Sequence, residues 1–187
     1  MKPKTLIDIM RITGRLKDMT RHSWTAGGRQ ESVADHTYQM MMMAYFVRDE
    51  FPEADMDKVM KMCLFHDMGE AFTGDIPAFE KTAAHEKEET RQVRAWVESL
   101  PDGYREEVGA LFAEMDAMET LEARIYKALD KLEVVIQHNE ADLSTWIPLE
   151  YTLNLEYGTE QTAFSGFLKE VRRLAKEDSV KKCKAGE

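Results

Sequence analysis

The sequence predicts an all-α, single-domain protein, and three observations carry that expectation. Only five prolines and ten glycines punctuate 187 residues. Between them apolar side chains recur every third or fourth position, the repeat of a helix with one buried face. No run alternates apolar and polar over any length, as a half-buried strand would.

The first helix is expected over about Thr5–Leu16, followed by an irregular loop over Lys17–Glu31 that contains Gly27-Gly28. A second helix runs over about Ser32–Glu50 and stops before Pro52, because the residue preceding a proline is pushed out of the helical region. Its stripe is Val33, His36, Met40, Met43, Ala44 and Val47, so an imidazole sits inside an apolar face. Asp55 is a good N-cap for a helix over about Met56–Ala71. On that helix Val59, Met62, Cys63, His66 and Glu70 share a face. A loop with Gly74 and Pro77 covers Phe72–Glu80. A charged helix over about Ala83–Leu100 turns at Pro101-Asp102-Gly103, and helices follow around Tyr104–Met118 and Glu119–Asn139. The latter is apolar on two sides, with Leu121, Ile125, Leu129, Leu132 and Ile136 on one and Tyr126 and Val134 toward the other. Asp130 therefore belongs to a helix that reads as central and buried. The last helix is expected over about Glu160–Lys176, with a frayed basic tail at Lys181–Lys184.

Composition narrows the function. Asp and Glu number 35 against 25 Lys and Arg, a formal net charge of −10. Such a surface repels phosphate backbones and anionic lipid, so long nucleic acid and membranes are not expected partners. No stretch reaches the roughly 20 apolar residues of a membrane span, and the N-terminal residues lack the apolar core of a signal peptide. Two cysteines far apart, Cys63 and Cys183, argue against a disulfide framework and for a reducing, cytoplasmic setting. The four methionines at Met40–Met43 point to different faces of a helix and read as packing. Cys63 reads as an inert buried thiol, and His85–Arg94 as a solvated helix face. His22, His85 and His138 have no partner visible in sequence.

The residues that carry chemistry are polar ones on apolar faces. His66-Asp67 is followed one turn later by Glu70, and Asp75 follows the Gly74 turn. Together with His36 and Asp130, these place several imidazoles and carboxylates on the buried faces of three helices. Buried carboxylates are costly unless paired or bound to a metal, and a shared ion explains the set more simply than separate coincidences. Imidazole nitrogen with carboxylate oxygen suits Zn, Mn, Fe or Co.

The order His36, His66-Asp67, Asp130 resembles the H…HD…D pattern of the HD-domain metal-dependent phosphohydrolases. Glu31-Ser32-Val33-Ala34-Asp35-His36 is similar to the ESV(A/S)(E/D)H segment of their 5′-deoxynucleotidase branch. Leu64 to Glu70, then Thr73-Gly74-Asp75-Ile76-Pro77, are similar to its HDxxE…GD(I/L) segment. The resemblance covers roughly Leu6 to Glu140. It implies one HD-domain helical bundle over residues 1–187, with the motifs in about 6–140 and a C-terminal helix at about 160–176.

The resemblance also implies roles. His36, His66, Asp67 and Asp130 would hold a divalent metal ion, one of Co, Mn, Zn, Fe or Mg. Glu70 and Asp75 would be catalytic, handling protons or touching a further ion together with the Ile76 carbonyl. Arg21 and Trp24 would contact a nucleotide, Trp24 beside the sugar where a 2′-hydroxyl would be crowded. Asp75, Ile76, Pro77 and Ala78 would line the phosphate and sugar pocket, with Lys81 adding charge. The implied activity is release of phosphate from (deoxy)nucleoside 5′-monophosphates. Hydrolysis of another phosphorylated nucleotide (ppGpp or a dNTP) and a non-catalytic metal- or nucleotide-binding module stay open as alternatives. The partner is then a small nucleotide, with a homodimer possible. No sequence feature reads a base edge, so little choice among bases is expected.

Overall fold

A computed structural model describes residues 1–77 and 80–185. In chain order its helices are α1 (Pro3–Thr13), α2 (Val33–Phe46), α3 (Met56–Phe65), α4 (Glu70–Thr73), α5 (Ala83–Glu98), α6 (Tyr104–Ala117), α7 (Leu121–Glu140), α8 (Glu150–Glu156), α9 (Thr159–Thr162) and α10 (Gly166–Ala185). One antiparallel hairpin, β1 (Thr20–Trp24) with β2 (Gln30–Ser32), stands between α1 and α2. No helix among the described residues is long and apolar enough to cross a membrane.

The bundle is built around α7. Ala123, Ile125, Ala128, Leu129, Leu132 and Val135 are completely buried on it, against α2, α3 and α10. Met40 and Ala44 from α2 and Val59, Met62 and Cys63 from α3 fill the same core. Burial pushes the Cys63 thiol up to about 12, so it is an inert apolar filler as expected. A second cluster, Leu16, Val33, Met68, Trp96, Val97 and Val108, joins α5 and α6 to the start of α2.

Caps fix where the elements begin. The Ser32 hydroxyl accepts the Asp35 N–H at 3.2 Å while Asp35 accepts the Ser32 N–H at 2.9 Å, a capping box that starts α2. Asp55 caps α3 by accepting the Lys58 N–H at 3.0 Å. Gly158 has φ 79°, and a Cβ there would stand 2.9 Å from the Lys131 Cβ. Only glycine lets the chain after α8 lie this close to α7.

Four expectations are corrected. The Lys17–Glu31 loop contains the hairpin; strands of five and three residues are too short to show alternation. The hairpin is tied to the bundle where the Gln137 side chain donates to the Trp24 carbonyl at 2.6 Å. The helix expected through Ala71 ends at Phe65, and α4 starts afresh after a turn. The helix expected from Glu160 begins at Gly166, after the separate α9. The basic tail is helical rather than frayed: Ser179 Oγ donates to Asn139 Oδ1 at 2.7 Å and Lys182 Nζ to the Asn139 carbonyl at 2.9 Å. Docking on α7 holds it in place.

Candidate metal centre

His36 sits one turn into α2, fully buried between Val33 and Met40. Its Nδ1 lies 2.5 Å from Glu133 Oε2. A carboxylate accepts that proton, so Nε2 presents its lone pair inward, toward Asp130 Oδ1 at 3.5 Å and Asp67 Oδ2 at 3.8 Å. His66 closes α3 with Nδ1 2.9 Å from the Cys63 carbonyl. A carbonyl only accepts, so the His66 proton is on Nδ1 and Nε2 again faces inward, 3.1 Å from Asp67 Oδ2. The two rings stand 5.3 Å apart, and both Nε2 atoms are buried without a hydrogen-bond partner.

Adjacent residues converge here because the helix stops between them. The His66 N–H completes the last bond of α3 to Met62, and Asp67 belongs to the turn before α4. Burial opposes ionisation of Asp67, but the positive charge around it outweighs burial and holds the carboxyl far down, with the Arg21 guanidinium 3.3 Å from Oδ2. Asp130 is likewise held well below the carboxylate range, against burial, by Lys127 and Lys131. Both lysines reach its Oδ2 at 3.0 Å, which leaves Oδ1 aimed at His36.

Ligand atoms of His36, His66 and Asp67 lie within 4.8 Å of one another. Two inward imidazole lone pairs, an ionised carboxylate and the Oδ1 of a second are a donor set that fits a divalent transition ion. Two orphaned nitrogens at one buried point are hard to explain otherwise.

Glu70 begins α4 at 6% exposure, with Oε2 buried and unpartnered. Burial first, then the charges of Asp67 and Asp75, push its carboxyl up to about 10. Arg21 on β1 reaches Asp67 Oδ2 with Nη1 and Glu31 Oε2 with Nε, each at 3.3 Å. These carboxylates hold the guanidinium charged.

A cleft of about 580 Å³ opens over this floor. Of the residues expected at the site, Arg21, Asp67, Glu70, Asp75, Ile76, Pro77, Lys81 and Asp130 line it. Lys81 pairs there with Glu89 at 2.5 Å. His36 and His66 lie beneath the surface. Trp24 ends β1 and is not among the lining residues, and Ala78 lies outside the described residues.

Sequence reasoning missed Glu133, Glu31, Lys127 and Lys131 as parts of the site. A signal existed for two of them, since Lys127 and Glu133 stand three residues before and after Asp130 on the same helix. Glu31 was legible only as part of a motif, yet it is 1% exposed and anchors Arg21.

A family model described as the HD domain matches residues 13–172. The chain belongs to the HD-domain family. Among curated proteins it is 31% identical over 141 residues to the human 5′-deoxynucleotidase HDDC2, covering 73% of this chain and 68% of that one. Its identity to the Danio rerio 5′-deoxynucleotidase HDDC2 is 35% over 140 residues, covering 72% and 68%. A crystal structure of a predicted metal-dependent phosphohydrolase from Magnetospirillum magnetotacticum shares the fold, with TM-score 0.79, 24% identity and coverage of 95% and 92%. A conserved hypothetical protein from Pyrococcus furiosus matches with TM-score 0.68, 31% identity and coverage of 92% and 98%. The motifs read in the sequence are thus those of an HD domain.

Proposed function

We propose that this HD-domain protein is a metal-dependent phosphohydrolase that releases phosphate from (deoxy)nucleoside 5′-monophosphates. One observation carries the reading: the unpartnered Nε2 atoms of His36 and His66 meet ionised Asp67 beneath a cleft edged by Arg21, Lys81, Lys127 and Lys131. The relatives named 5′-deoxynucleotidases support the substrate class.

His36, His66, Asp67 and Asp130 would hold the ion, which supplies a water of lowered pKa and charge for the phosphoryl oxygens. The remaining work falls to the chain. Arg21, braced by Glu31, donates to phosphoryl oxygens in the planar geometry that a guanidinium offers. Asp75 in the cleft wall takes a proton from the water that adds to phosphorus. As the bond from phosphorus to the 5′-oxygen breaks, Glu70, whose buried carboxyl keeps its proton at neutral pH, gives that oxygen a proton. The low exposure of Glu70 and Asp67 keeps bulk water from screening these charges.

The test is phosphate release from dAMP, AMP, dATP and ppGpp with Mn, Co, Zn, Fe or Mg supplied, alongside elemental analysis of the purified protein. Release from dAMP with a transition ion is expected. Faster hydrolysis of dATP or ppGpp moves the substrate class; no release from any substrate with any ion overturns the reading.

A further inference from the structure

One ion pair in the wall of the metal cleft has no task in the reaction above. Lys81 stands just before Thr82, the N-cap of α5, and its Nζ lies 2.5 Å from Glu89 Oε2. Both side chains are partly buried. Glu89 is the exception on its stretch of helix. Residues 82–88 and Thr90 are exposed, as a solvated face requires, but Glu89 precedes the buried Val93 and Val97 at intervals of four. It therefore stands on the core-facing stripe of α5, where a carboxylate is out of place without a partner.

Gly69 explains how the carboxylate fits there. It lies in the turn between Asp67 and Glu70, with φ −58° and ψ −36°. Any residue adopts those angles, so the backbone does not ask for glycine. The space does: a Cβ at 69 would collide with Glu89 Cγ and stand 2.9 Å from its Oε1. Glu89 is thus packed on the turn that follows the metal ligand, while it holds a lysine six residues after Asp75.

Lys81 has two places to go. It lines the metal cleft and also a second hollow of about 670 Å³, walled by α5 and α6. Carboxylates of Glu98 and Asp116 line that second hollow and would draw a loose ammonium away. An ammonium carries three N–H donors, and Glu89 takes one, so others remain for a phosphoryl oxygen. The charge of Asp67 is among those that keep Lys81 an ammonium against burial.

We infer that Glu89 is a positioning residue for the substrate phosphate: wedged on Gly69, it holds the Lys81 ammonium at the metal cleft, where that ammonium donates to the phosphoryl group. The inference rests on the proposed phosphohydrolase reading. A lysine carries its charge on a flexible stem and has no rigid fork to orient it. Held in advance, it gives up no rotamer freedom when phosphate binds, a saving of a few-fold to about 10-fold in affinity.

The experiment measures dAMP turnover by Lys81→Ala, Glu89→Ala and Gly69→Ala, singly and in two pairs. Glu89→Ala should raise KM about 5- to 10-fold with kcat little changed and metal content equal to wild type. Gly69→Ala should do the same, because its methyl group displaces the Glu89 side chain. Adding Glu89→Ala to Lys81→Ala should cost nothing further, since Glu89 acts only through the lysine. Adding Gly69→Ala to Glu89→Ala should likewise cost nothing, since the clash is gone. A purely structural glutamate would instead add its loss to that of Lys81→Ala. An unchanged or lower KM in Glu89→Ala overturns the inference, as do losses that add in either pair. Calorimetric binding of inorganic phosphate, with metal present, reads the same contact without turnover. Glu89→Ala should bind phosphate about 5- to 10-fold more weakly than wild type, and equal binding overturns the inference. If wild type releases phosphate from no nucleotide while this difference holds, the phosphohydrolase reading alone fails.

Discussion

A histidine–glutamate pair lies beneath one end of the cleft and another in the wall at its other end, and the two sit at different depths. At one end His36 is fully buried and 2.5 Å from Glu133. At the other His22 is 34% exposed and 3.5 Å from Glu150. Burial decides between them. Inside the core, the carboxylate fixes the proton on one nitrogen and leaves the other as a ligand atom with a single direction. At the cleft wall, a longer contact joins a partly exposed imidazole to a buried carboxylate. A histidine–glutamate pair thus says little about function until its depth in the fold is known.

The comparison breaks most severely if the buried end is not a metal site. His66→Ala or Asp67→Ala should abolish both bound metal and phosphate release, since removing a ligand generally eliminates a site. Stoichiometric metal by elemental analysis in both variants would refute the assignment. Next in size is Glu70→Gln, which should keep the metal and lower kcat by about 10²–10⁴-fold. If metal disappears as well, Glu70 is itself a ligand and the division between holding and proton transfer is wrong.

The two glutamates sharpen the comparison directly. Glu133→Gln should weaken metal affinity or activity by about 10–100-fold, the usual effect of removing a carboxylate behind a ligating imidazole. Glu150→Gln keeps an acceptor for the Ile147 N–H and touches no ligand, so its metal content should match wild type. Metal titrations on the two variants check this. Equal losses would mean that depth does not separate the pairs after all.

Much of the metal centre was legible in sequence because a polar residue inside an apolar stripe is a visible anomaly. His36 between Val33 and Met40, and Asp130 beside Leu129, are cases of this. Glu133, 2% exposed, showed only by its spacing three residues after Asp130, because the helix is buried on more than one side and no stripe boundary shows where a carboxylate is out of place. The break after Phe65 was hidden for a related reason: helical periodicity runs on through Glu70 while the backbone turns at Asp67. The order of the tail at Ser179 and Lys182 comes from α7 side chains and carbonyls some 40 residues away, which no local pattern contains.

The smallest expected effect concerns what carries His36 into the core. α2 begins at the Ser32–Asp35 capping box, and Arg29 reaches the same Asp35 oxygen at 2.8 Å. The hydrogen bond from Arg29, and then those from Ser32, pull the Asp35 carboxyl down to about 2 despite some burial. The folded value lies below the ordinary 3.8, so ionised Asp35 stabilises the fold at neutral pH and the benefit is lost as pH falls toward 2. Asp35→Ala should therefore lower stability by about 1 kcal/mol near neutrality, the usual cost of a lost cap, and Tm by about 2–4 °C. The gap between variant and wild type should narrow steadily below about pH 4. Metal content should not change, because the box sets where the helix starts and the Glu133 contact sets where His36 points. A gap that stays constant with pH would show that the carboxyl's charge contributes nothing to the cap. A loss of metal at full folding would show that the helix start, and not depth, aims the ligand.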